Sequence, residues 1–241
     1  MELINLRLPD GHLCPRVASL LKQAGYVISD YGPGQRNYQP KINVKHLNVL
    51  VRRPMQIAIE LARGEADAGI TGSDCTSEFP SAELLLDLKE PATKLVLAVP
   101  NSDDFNHITS FETFVEHIFP KGVTIYSEYP RFVRQYFANH PAYCLKCTEP
   151  PGLDLGWQIV RSSSPIGIRL SFGSTEGNEF FVDVVETGRT LKTNGSKPIC
   201  TLLERSTPWL AASQRALSDP WKRAKIIDLQ SRLKAAIENV E

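Results

Sequence analysis

Short apolar strands alternate with amphipathic helices along most of this chain, and that alternation restricts its fold more than any other feature of the sequence. Apolar residues recur every second residue in the predicted strands and with helical spacing in the predicted helices. In chain order, the predicted elements are strand Leu3–Leu8, helix Cys14–Ala24, strand Asn48–Val51, helix Met55–Arg63, strand Asp67–Thr71, strand Thr93–Pro100, strand Val123–Tyr126 and helix Arg131–Asn139. This order predicts the α/β class, in which helices cover a mostly parallel sheet.

The remaining segments have other patterns. Apolar residues alternate from Ile166 to Phe172, a polar run follows, and Glu179–Val185 is again apolar, which predicts a β-hairpin. The stretch Cys144–Ser164 is rich in proline, glycine and serine and is predicted to be a loop. Near the end of the sequence, the apolar spacing of Trp221–Val240 predicts an amphipathic helix.

Composition argues against several classes of function. The chain has 241 residues, 42% hydrophobic and 22% charged, as expected for a globular protein of one large or two small domains. Its formal net charge is zero, so no overall field attracts nucleic acid or an anionic membrane. The N-terminal residues lack the pattern of a signal peptide, and no apolar stretch approaches the roughly 20 residues of a membrane span. We therefore expect a cytoplasmic protein that binds neither nucleic acid nor membrane.

The cysteines give one weak indication of a metal or redox site. Five cysteines in a chain of this size do not resemble the dense disulfide framework of a small secreted domain, so we expect reduced thiols. Cys144 and Cys147 form a Cys-x-x-Cys with His140 upstream, a pattern compatible with part of a zinc site or with a redox pair. No second pair follows at zinc-finger spacing, which argues against both uses.

The run Asp183–Gly195 has the residue types of a sugar-phosphate receptor. It reads Asp-Val-Val-Glu-Thr-Gly-Arg-Thr-Leu-Lys-Thr-Asn-Gly. Backbone N–H groups around Gly188 can converge on a phosphate because glycine allows a close approach, and the hydroxyls of Thr187 and Thr190 add donors at a predicted helix start. The two acids of the run can accept hydrogen bonds from vicinal ribose hydroxyls.

A purely structural interpretation of this run is also open. A threonine can cap a helix that follows a buried strand, and nearby acids can offset the helix dipole. A bare Thr-Gly-x-Thr is too short to exclude that interpretation. The length of the whole run therefore has to decide between the two.

The whole run Asp183–Gly195 resembles the signature of the ATP phosphoribosyltransferase family, Asp-x-Val-x-Thr-Gly-x-Thr-Leu followed two residues later by Asn-Gly. Arg53-Pro54 before a helix resembles the family's Arg-Pro segment, and Gly64–Asp74 its Gly-x-Ala-Asp-x-Gly-Ile-x-Gly-x-Asp turn. Glu128–Phe137 is similar to its Thr-x-Tyr-Pro helix start. These segments occur in the family's order over most of the chain, which favours a ligand site in the run.

The resemblance implies a fold and an activity. The fold is two α/β domains like the type II periplasmic binding proteins, with the active site in the cleft between them. Domain I is expected to hold residues 1–92 and 196–241, and domain II residues 93–195. The reaction joins N1 of ATP to phosphoribosyl pyrophosphate with Mg²⁺ and releases pyrophosphate, the first step of histidine biosynthesis. Short members of the family work with a regulatory subunit that resembles histidyl-tRNA synthetase, so a homo- or hetero-oligomer is expected.

The resemblance also implies three groups of site residues. The donor, phosphoribosyl pyrophosphate, is expected at Asp183, Glu186, Thr187, Gly188, Arg189, Thr190 and Leu191. The nucleotide or other acceptor is expected at Asp10, Gly11, His12, Thr71, Gly72 and Asp74. Catalytic roles fall to Arg36, Arg53 and Asp183, although both arginines are equally compatible with a surface or structural role. No protein ligand is assigned to the metal, because pyrophosphate is expected to carry Mg²⁺.

Several polar positions depart from the family pattern. The first loop, usually Lys-Gly-Arg, is Asp10-Gly11-His12, while Ser73 replaces a common lysine and Gln56 an aspartate. Upstream of Asp183, the run Gly173–Glu176 either marks a deletion from the family's longer segment or is an accidental match in the predicted hairpin turn, which we favour. Lost cations weaken phosphate binding. Two alternatives follow: a paralog that transfers phosphoribose to another acceptor, and a non-catalytic ligand-binding protein of the same fold.

Overall fold

The computed structural model describes residues 2–118, 123–146, 157–167 and 179–239. The chain divides into two compact units, which are described separately below. Unit 1 comprises Met1–Ala92 and Thr207–Glu241, and unit 2 comprises Thr93–Ser206. Among the described helices, none combines the length and apolarity that a membrane span requires.

Unit 1 contains one mixed sheet with helices on both faces. Its elements are β1 (Ile4–Pro9), α1 (Cys14–Gln23), β2 (Leu47–Arg52), α2 (Pro54–Ala62), β3 (Ala68–Gly72), α3 (Ser73–Glu78), β4 (Ala82–Asp87), β10 (Pro208–Ser213), α8 (Gln214–Ser218) and α9 (Pro220–Glu238). The strand order is β2-β1-β3-β10-β4. β1 runs parallel to β2 and β3, whereas β10 is antiparallel to both of its neighbours.

The larger core of unit 1 lies between the sheet and helices α1 and α9. Alternate residues of β1 point into it together with the apolar faces of both helices, including Leu20 and Leu233, which are fully buried. Each such leucine contributes about 1.5 to 3 kcal/mol through the removal of its side chain from water. On the opposite face, Ile57 and Leu61 of α2 form a smaller cluster with Ala211. The two helix layers therefore fix the sheet from both sides.

Unit 2 repeats this arrangement with different strands. Its elements are β5 (Thr93–Pro100), α4 (Phe111–His117), β6 (Val123–Ser127), α5 (Pro130–Asn139), α6 (Pro141–Lys146), β7 (Trp157–Arg161), β8 (Glu179–Val185), α7 (Arg189–Thr193) and β9 (Ser196–Ser206). The strand order is β7-β6-β8-β5-β9. β6 runs parallel to β7 and β8, and β5 is antiparallel to β8 and β9.

Aromatic side chains fill one face of the unit 2 sheet. Phe114 and Phe180 are fully buried and their rings meet edge to face, with centroids 5.0 Å apart, a favourable geometry for aromatic pairs. On the other face, Leu191 of the short helix α7 packs into a cluster with Val96 and Phe181. This contact anchors the segment that follows β8 to the sheet.

The α/β fold class is confirmed, and most strands and helices predicted from periodicity lie within one or two residues of their predicted bounds. Two sequence predictions are wrong. β8 has β5 on one side and β6 on the other, so neither edge is open to a hairpin partner, and Ile166 lies in a helical turn. The predicted loop 144–164 contains β7, whose short apolar run is flanked by proline, glycine and serine.

Other outcomes concern the domain boundaries and the segments outside the described residues. β9 pairs with β5, which places 196–206 in unit 2, whereas the sequence prediction assigned them to the first domain. Cys147 and the run Gly173–Glu176 lie outside the described residues. Cys144 is exposed, and its thiol donates to the carbonyl of Ala138 at 3.2 Å.

Candidate functional site

Three parallel strands of unit 2 end at one edge of its sheet. In parallel strands the carboxyl ends lie together, and ligands of open α/β sheets bind beyond them. The strands β7, β6 and β8 are neighbours in this order and end at Arg161, Ser127 and Val185. The predicted donor loop follows β8 directly, so it lies at the edge where the fold favours a ligand.

The backbone of the donor loop turns sharply at Gly188. Its φ of +74° and ψ of 0° place it in the left-handed region, immediately before α7 begins at Arg189. A side chain at this position would be strained, whereas glycine adopts the conformation readily. The first N–H groups of a helix have no partner within it. The turn therefore presents amides to a ligand close to the backbone.

Two threonines of the loop are available to a ligand. Thr187 and Thr190 are exposed, as are Glu186 and Arg189. The Thr187 hydroxyl oxygen lies 3.5 Å from the N–H of Arg189, at the limit of hydrogen-bond distance. Because Leu191 is buried, α7 is held while its first turn remains open. The loop thus combines a fixed backbone with accessible hydroxyls.

Asp183 is a half-buried carboxyl group on β8, two residues before the end of the strand. Burial raises its pKa above the ordinary value of 3.8, and among the described residues the opposing effect comes from a hydrogen bond at 2.8 Å from the N–H of Val184 to its Oδ1. Burial of a carboxylate with so little compensation costs folding free energy. Such a residue is typical of a functional site.

Sequence analysis missed polar groups beside the donor loop. The Ser127 Oγ at the end of β6 accepts the Tyr129 N–H at 3.0 Å, and the Ser162 Oγ after β7 accepts the Ser164 N–H at 3.1 Å. Arg161 donates to the Glu128 carbonyl at 2.7 Å. The signal in the sequence was the serine run after a short apolar segment, which was interpreted only as loop. These groups build the turns that follow β6 and β7, at the same sheet edge as the donor loop.

Unit 1 has an edge of the same kind. Its parallel strands β2, β1 and β3 end at Arg52, Pro9 and Gly72. The residues expected on the acceptor side follow β1 or lie at the end of β3 and just after it, and Arg53 follows β2. The sequence-predicted residues of unit 1 thus lie on neighbouring loops, although the sequence separates them by more than sixty positions.

A concavity of about 250 Å³ opens beside β1 in unit 1. Asp10, Gly11 and Arg36 line it, and so do the carboxylate of Asp30 and the exposed ring of Tyr38. His12 is exposed but does not line the concavity. Asp10, which departs from the family pattern, therefore lines the same concavity as Arg36, the cation predicted for catalysis.

The phenol of Tyr31 fixes one wall of this concavity. Its hydroxyl donates to the carbonyl of Pro9 at 2.9 Å, which ties the long segment after α1 to the end of β1. Burial raises the pKa of Tyr31, and the neighbouring thiol of Cys14 raises it further. Burial also raises the pKa of Cys14, so its thiol stays protonated. Neither residue was predicted from the sequence as part of a site.

The residues predicted after β3 have structural roles. Thr71 is fully buried, and its hydroxyl donates to the Pro54 carbonyl at 2.7 Å, at the start of α2. Gly72 has an ordinary extended conformation before α3, and Asp74 is buried in the first turn of that helix. Asp67 accepts hydrogen bonds from Asn5 N–H and Lys222 Nζ, at the opposite end of β3. Much of the Gly64–Asp74 motif therefore maintains the fold of unit 1.

Two adjacent arginines at the end of β2 have contrasting environments. Arg52 donates from Nε to Glu60 at 3.1 Å and from Nη1 to the Val51 carbonyl at 3.0 Å. Arg53 caps α2 through its backbone carbonyl, which accepts the Ile57 N–H, while its exposed guanidinium has no partner among the described residues. Arg53 therefore has the availability that an anion-binding arginine needs.

The described residues contain no group of three or more histidine, cysteine, aspartate or glutamate side chains that could hold a metal ion. Mg²⁺ is often held instead by one or two carboxylates and by substrate phosphates. The carboxylates of Asp183 and Glu186 at the donor loop are compatible with that mode. These two carboxylates therefore fit a metal ion that arrives with a phosphorylated substrate.

Two sheets of one topology, each with polar loops at the carboxyl edge of its parallel strands, define a two-unit α/β ligand-binding architecture. Its fold is similar to that of arginine-bound ArgBP from T. maritima, with a TM-score of 0.52, 10% identity, and coverage of 99% of this chain and 96% of that one. It is also similar to the ATP phosphoribosyl transferase (HisG:HisZ) complex from Thermotoga maritima, with a TM-score of 0.68, 20% identity and coverage of 98% and 100%.

Sequence comparison narrows this class to one family. The ATP phosphoribosyltransferase (HisG) family model matches residues 53–235. ATP phosphoribosyltransferase 1 of Geobacter sulfurreducens is 28% identical over 253 aligned positions, covering 98% of this chain and 73% of the relative. The Methanosarcina barkeri enzyme is 29% identical over 237 positions, covering 98% and 72%. The chain belongs to the ATP phosphoribosyltransferase family. Membership makes the chain a pentosyltransferase. The comparisons therefore do not favour the alternative of a non-catalytic ligand-binding protein.

Proposed function

We propose that this chain joins N1 of the ATP adenine to C1 of phosphoribosyl pyrophosphate, with the loop 186–191 as the donor site. The observation that carries the proposal is the exposed Thr187-Gly188 turn beyond β8, in a chain that belongs to this family. The C1–O bond to pyrophosphate breaks with its electron pair, and the C1–N1 bond forms. Cationic charge develops on the sugar carbon as pyrophosphate leaves. Catalysis therefore depends on positioning and on stabilisation of the leaving group.

The donor loop holds the sugar phosphate. Backbone N–H groups after Gly188 and the hydroxyls of Thr187 and Thr190 donate to the 5′-phosphate. Asp183 and Glu186 accept hydrogen bonds from the ribose hydroxyls. Since β8 and the anchored helix α7 fix this segment, the sugar is oriented before the acceptor arrives.

Exposed cations hold the departing pyrophosphate. Arg36 and Arg53 are both exposed, and neither guanidinium has a partner among the residues that the structure describes. Each can form charge-assisted hydrogen bonds with phosphate oxygens. Mg²⁺, carried on the pyrophosphate, supplies neutralisation of its charge when bound. Asp183 and Glu186 are the carboxylates of the donor loop that would contact that ion.

The acceptor nucleotide binds along the edge of unit 1. The concavity lined by Asp10, Gly11 and Arg36 is large enough for a purine or a nucleoside. Asp10 accepts hydrogen bonds but repels phosphates, so it weakens the hold of this loop on the triphosphate. We expect a weaker affinity for ATP than an Arg- or Lys-containing loop provides.

Assembly and cellular location belong to the same proposal. The similar Thermotoga maritima structure is a HisG:HisZ complex, which supports a regulatory subunit as the partner of this chain. A regulatory partner and a soluble biosynthetic reaction agree with a cytoplasmic enzyme of histidine biosynthesis. Co-purification of the chain from its native source, followed by mass spectrometry of the stoichiometric partner, tests the assembly. Recovery of the chain alone at native concentration contradicts it.

A pyrophosphate-release assay tests the reaction. The purified chain, alone and with its regulatory partner, is incubated with phosphoribosyl pyrophosphate, Mg²⁺ and ATP, with GTP and nitrogen heterocycles as alternative acceptors. We expect release that requires the donor and ATP, and an ATP product phosphoribosylated at N1 by mass spectrometry. Release only with another acceptor instead supports the paralog alternative. No release with any acceptor contradicts the proposed function.

A further inference from the structure

A buried ion network links α2 to the neighbouring strands β1 and β2. Glu60 and Arg7 are each 7% exposed, and the Arg7 Nε donates to Glu60 Oε2. The other carboxylate oxygen of Glu60 accepts from Arg52 Nε at 3.1 Å and from Gln56 Nε2 at 3.4 Å. The network joins β1, β2 and α2, since one member or more comes from each of these elements.

The carboxylate of Glu60 is the only negative charge in this network, beside two guanidinium groups. Burial alone raises the pKa of Glu60, but the hydrogen bond and charge of Arg7, with smaller effects from Gln56 and Arg52, hold it below its ordinary value. The Arg7 Nη1 is buried without a hydrogen-bond partner among the described residues. Glu60 is therefore ionised and fully engaged, and positive charge is in excess.

Arg52 lies where an anion would attract it. It is the last residue of β2, next to Arg53 at the carboxyl edge of the parallel strands. About a third of its side chain is exposed, so solvent and small anions can reach its guanidinium. Its hydrogen bonds to Glu60 and to the Val51 carbonyl nevertheless direct it away from that role.

We propose that Glu60 is a positioning residue that withholds Arg52 from the anion-binding edge, so that Arg53 is the member of the pair that contacts pyrophosphate. The inference rests on the proposed function and deepens it, because it assigns the cation of the β2 loop. Glu60 therefore separates an arginine that binds the leaving group from one that stabilises the fold.

The adjacent arginines provide a matched pair of variants. We expect Arg53→Met to weaken the binding of magnesium pyrophosphate at least about tenfold, by loss of charge-assisted hydrogen bonds. Arg52→Met, with the same side-chain change one residue earlier, leaves this affinity within about twofold of the wild type. Isothermal titration calorimetry with magnesium pyrophosphate measures both. Equal losses in the two variants overturn the inference.

Release of Arg52 provides the complementary test. Glu60→Gln alone leaves Arg7 as a buried unpaired cation, so Arg7→Met accompanies it to preserve folding. We expect Arg7→Met/Glu60→Gln to bind magnesium pyrophosphate about fivefold more tightly than Arg7→Met, through a newly available surface cation. Addition of Arg52→Met returns the affinity to the control value. A merely structural role of Glu60 predicts binding that is unchanged or weaker relative to Arg7→Met, and either outcome contradicts the proposal.

Failure of the inference is distinguishable from failure of the proposed function. The binding titrations do not require turnover, and the pyrophosphate-release assay on the wild-type chain is read separately. Donor- and ATP-dependent release together with equal effects of Arg52→Met and Arg53→Met overturns only the assignment of Glu60. Absence of release with every acceptor removes the proposed function and, with it, the identity of pyrophosphate as the product held at this edge.

Discussion

The two units carry the same dipeptide near the end of the third strand of their parallel trio. Thr71-Gly72 ends β3 in unit 1, and Thr187-Gly188 follows β8 in unit 2. The first threonine is fully buried and donates to the Pro54 carbonyl, and its glycine is extended. The second is exposed, and its glycine is left-handed. An identical motif at an equivalent place thus stabilises the fold in one unit and is available to a ligand in the other.

The largest expected effect comes from Asp183→Asn in unit 2. Loss of the charge-assisted hydrogen bonds to ribose removes about 1.5 to 3 kcal/mol, so kcat/KM for the donor falls about tenfold to a hundredfold. Thermal stability is unchanged or higher, because a buried carboxylate with one hydrogen bond is replaced by a neutral amide. Steady-state kinetics and calorimetry measure the two quantities. A large loss of stability without a change in donor KM contradicts this role.

The raised pKa of Asp183 adds a pH dependence with a definite sign. A pKa of Asp183 above the ordinary value means that the folded state favours the neutral acid. The contribution of the neutral acid to the stability of the fold is therefore lost as pH rises through the raised pKa. We expect donor binding to require the carboxylate and therefore to weaken as pH falls through the same pKa. Donor KM against pH shows this acidic limb in the wild type. Its persistence in Asp183→Asn assigns the limb to another group.

Gly188→Ala separates backbone strain from ligand contact. A side chain at a φ of +74° costs about 1 to 2 kcal/mol, and it also occupies the space in which backbone amides approach the phosphate. We expect donor KM to rise about tenfold. Gly195→Ala is the matched control, since its φ is +59° and an added methyl group meets nothing within 4 Å. We expect Gly195→Ala to lose about as much stability as Gly188→Ala, measured by thermal unfolding, and to leave donor KM unchanged.

The paired threonines test the comparison directly. Thr187→Val raises donor KM about threefold to tenfold, through loss of one hydroxyl donor, and leaves stability unchanged. Thr71→Val has the reverse pattern, because it removes the fully buried hydroxyl that donates to the Pro54 carbonyl and costs about 1 to 3 kcal/mol of unfolding free energy. Chemical denaturation and donor kinetics on both variants measure this crossover. Equal effects of the two substitutions break the distinction between the units.

The smallest expected effect concerns the acidic first loop of unit 1. Asp10→Lys replaces a repulsive charge beside Arg36 with an attractive one, so KM for ATP falls about twofold to fivefold at low salt. The donor KM is expected to stay constant. Raising the ionic strength reduces the difference between variant and wild type, because the groups are partly exposed. An unchanged KM for ATP places the nucleotide phosphates away from this loop.

Sequence periodicity located the strands and helices whose pattern was local. The strand Thr93–Pro100 and the helix that follows Asp219-Pro220 were predictable because apolar spacing and capping signals act within one segment. The position of β8 between β5 and β6 was not, because strand pairing depends on contacts between distant segments. A short apolar segment next to a polar run therefore suggested a hairpin, although β8 had two other partners.

The candidate site shows the same limit. The donor loop was predictable from one contiguous run whose glycine requirement and hydroxyls are visible in the sequence. The structural use of Thr71 depends on its burial and on a carbonyl seventeen residues earlier in the chain. The pairing of Arg7 with Glu60 spans fifty-three positions. Residue types thus indicate which chemistry is present, whereas tertiary contacts decide which groups remain available for it.

A crystal structure with phosphoribosyl pyrophosphate and Mg²⁺ tests the central claim most directly. The predicted result places the 5′-phosphate within about 2.7 to 3.2 Å of backbone nitrogens in the loop 186–191 and of a hydroxyl of Thr187 or Thr190, with a ribose hydroxyl at Asp183. Electron density for the donor phosphate at another surface, with this loop free of phosphate, contradicts the account.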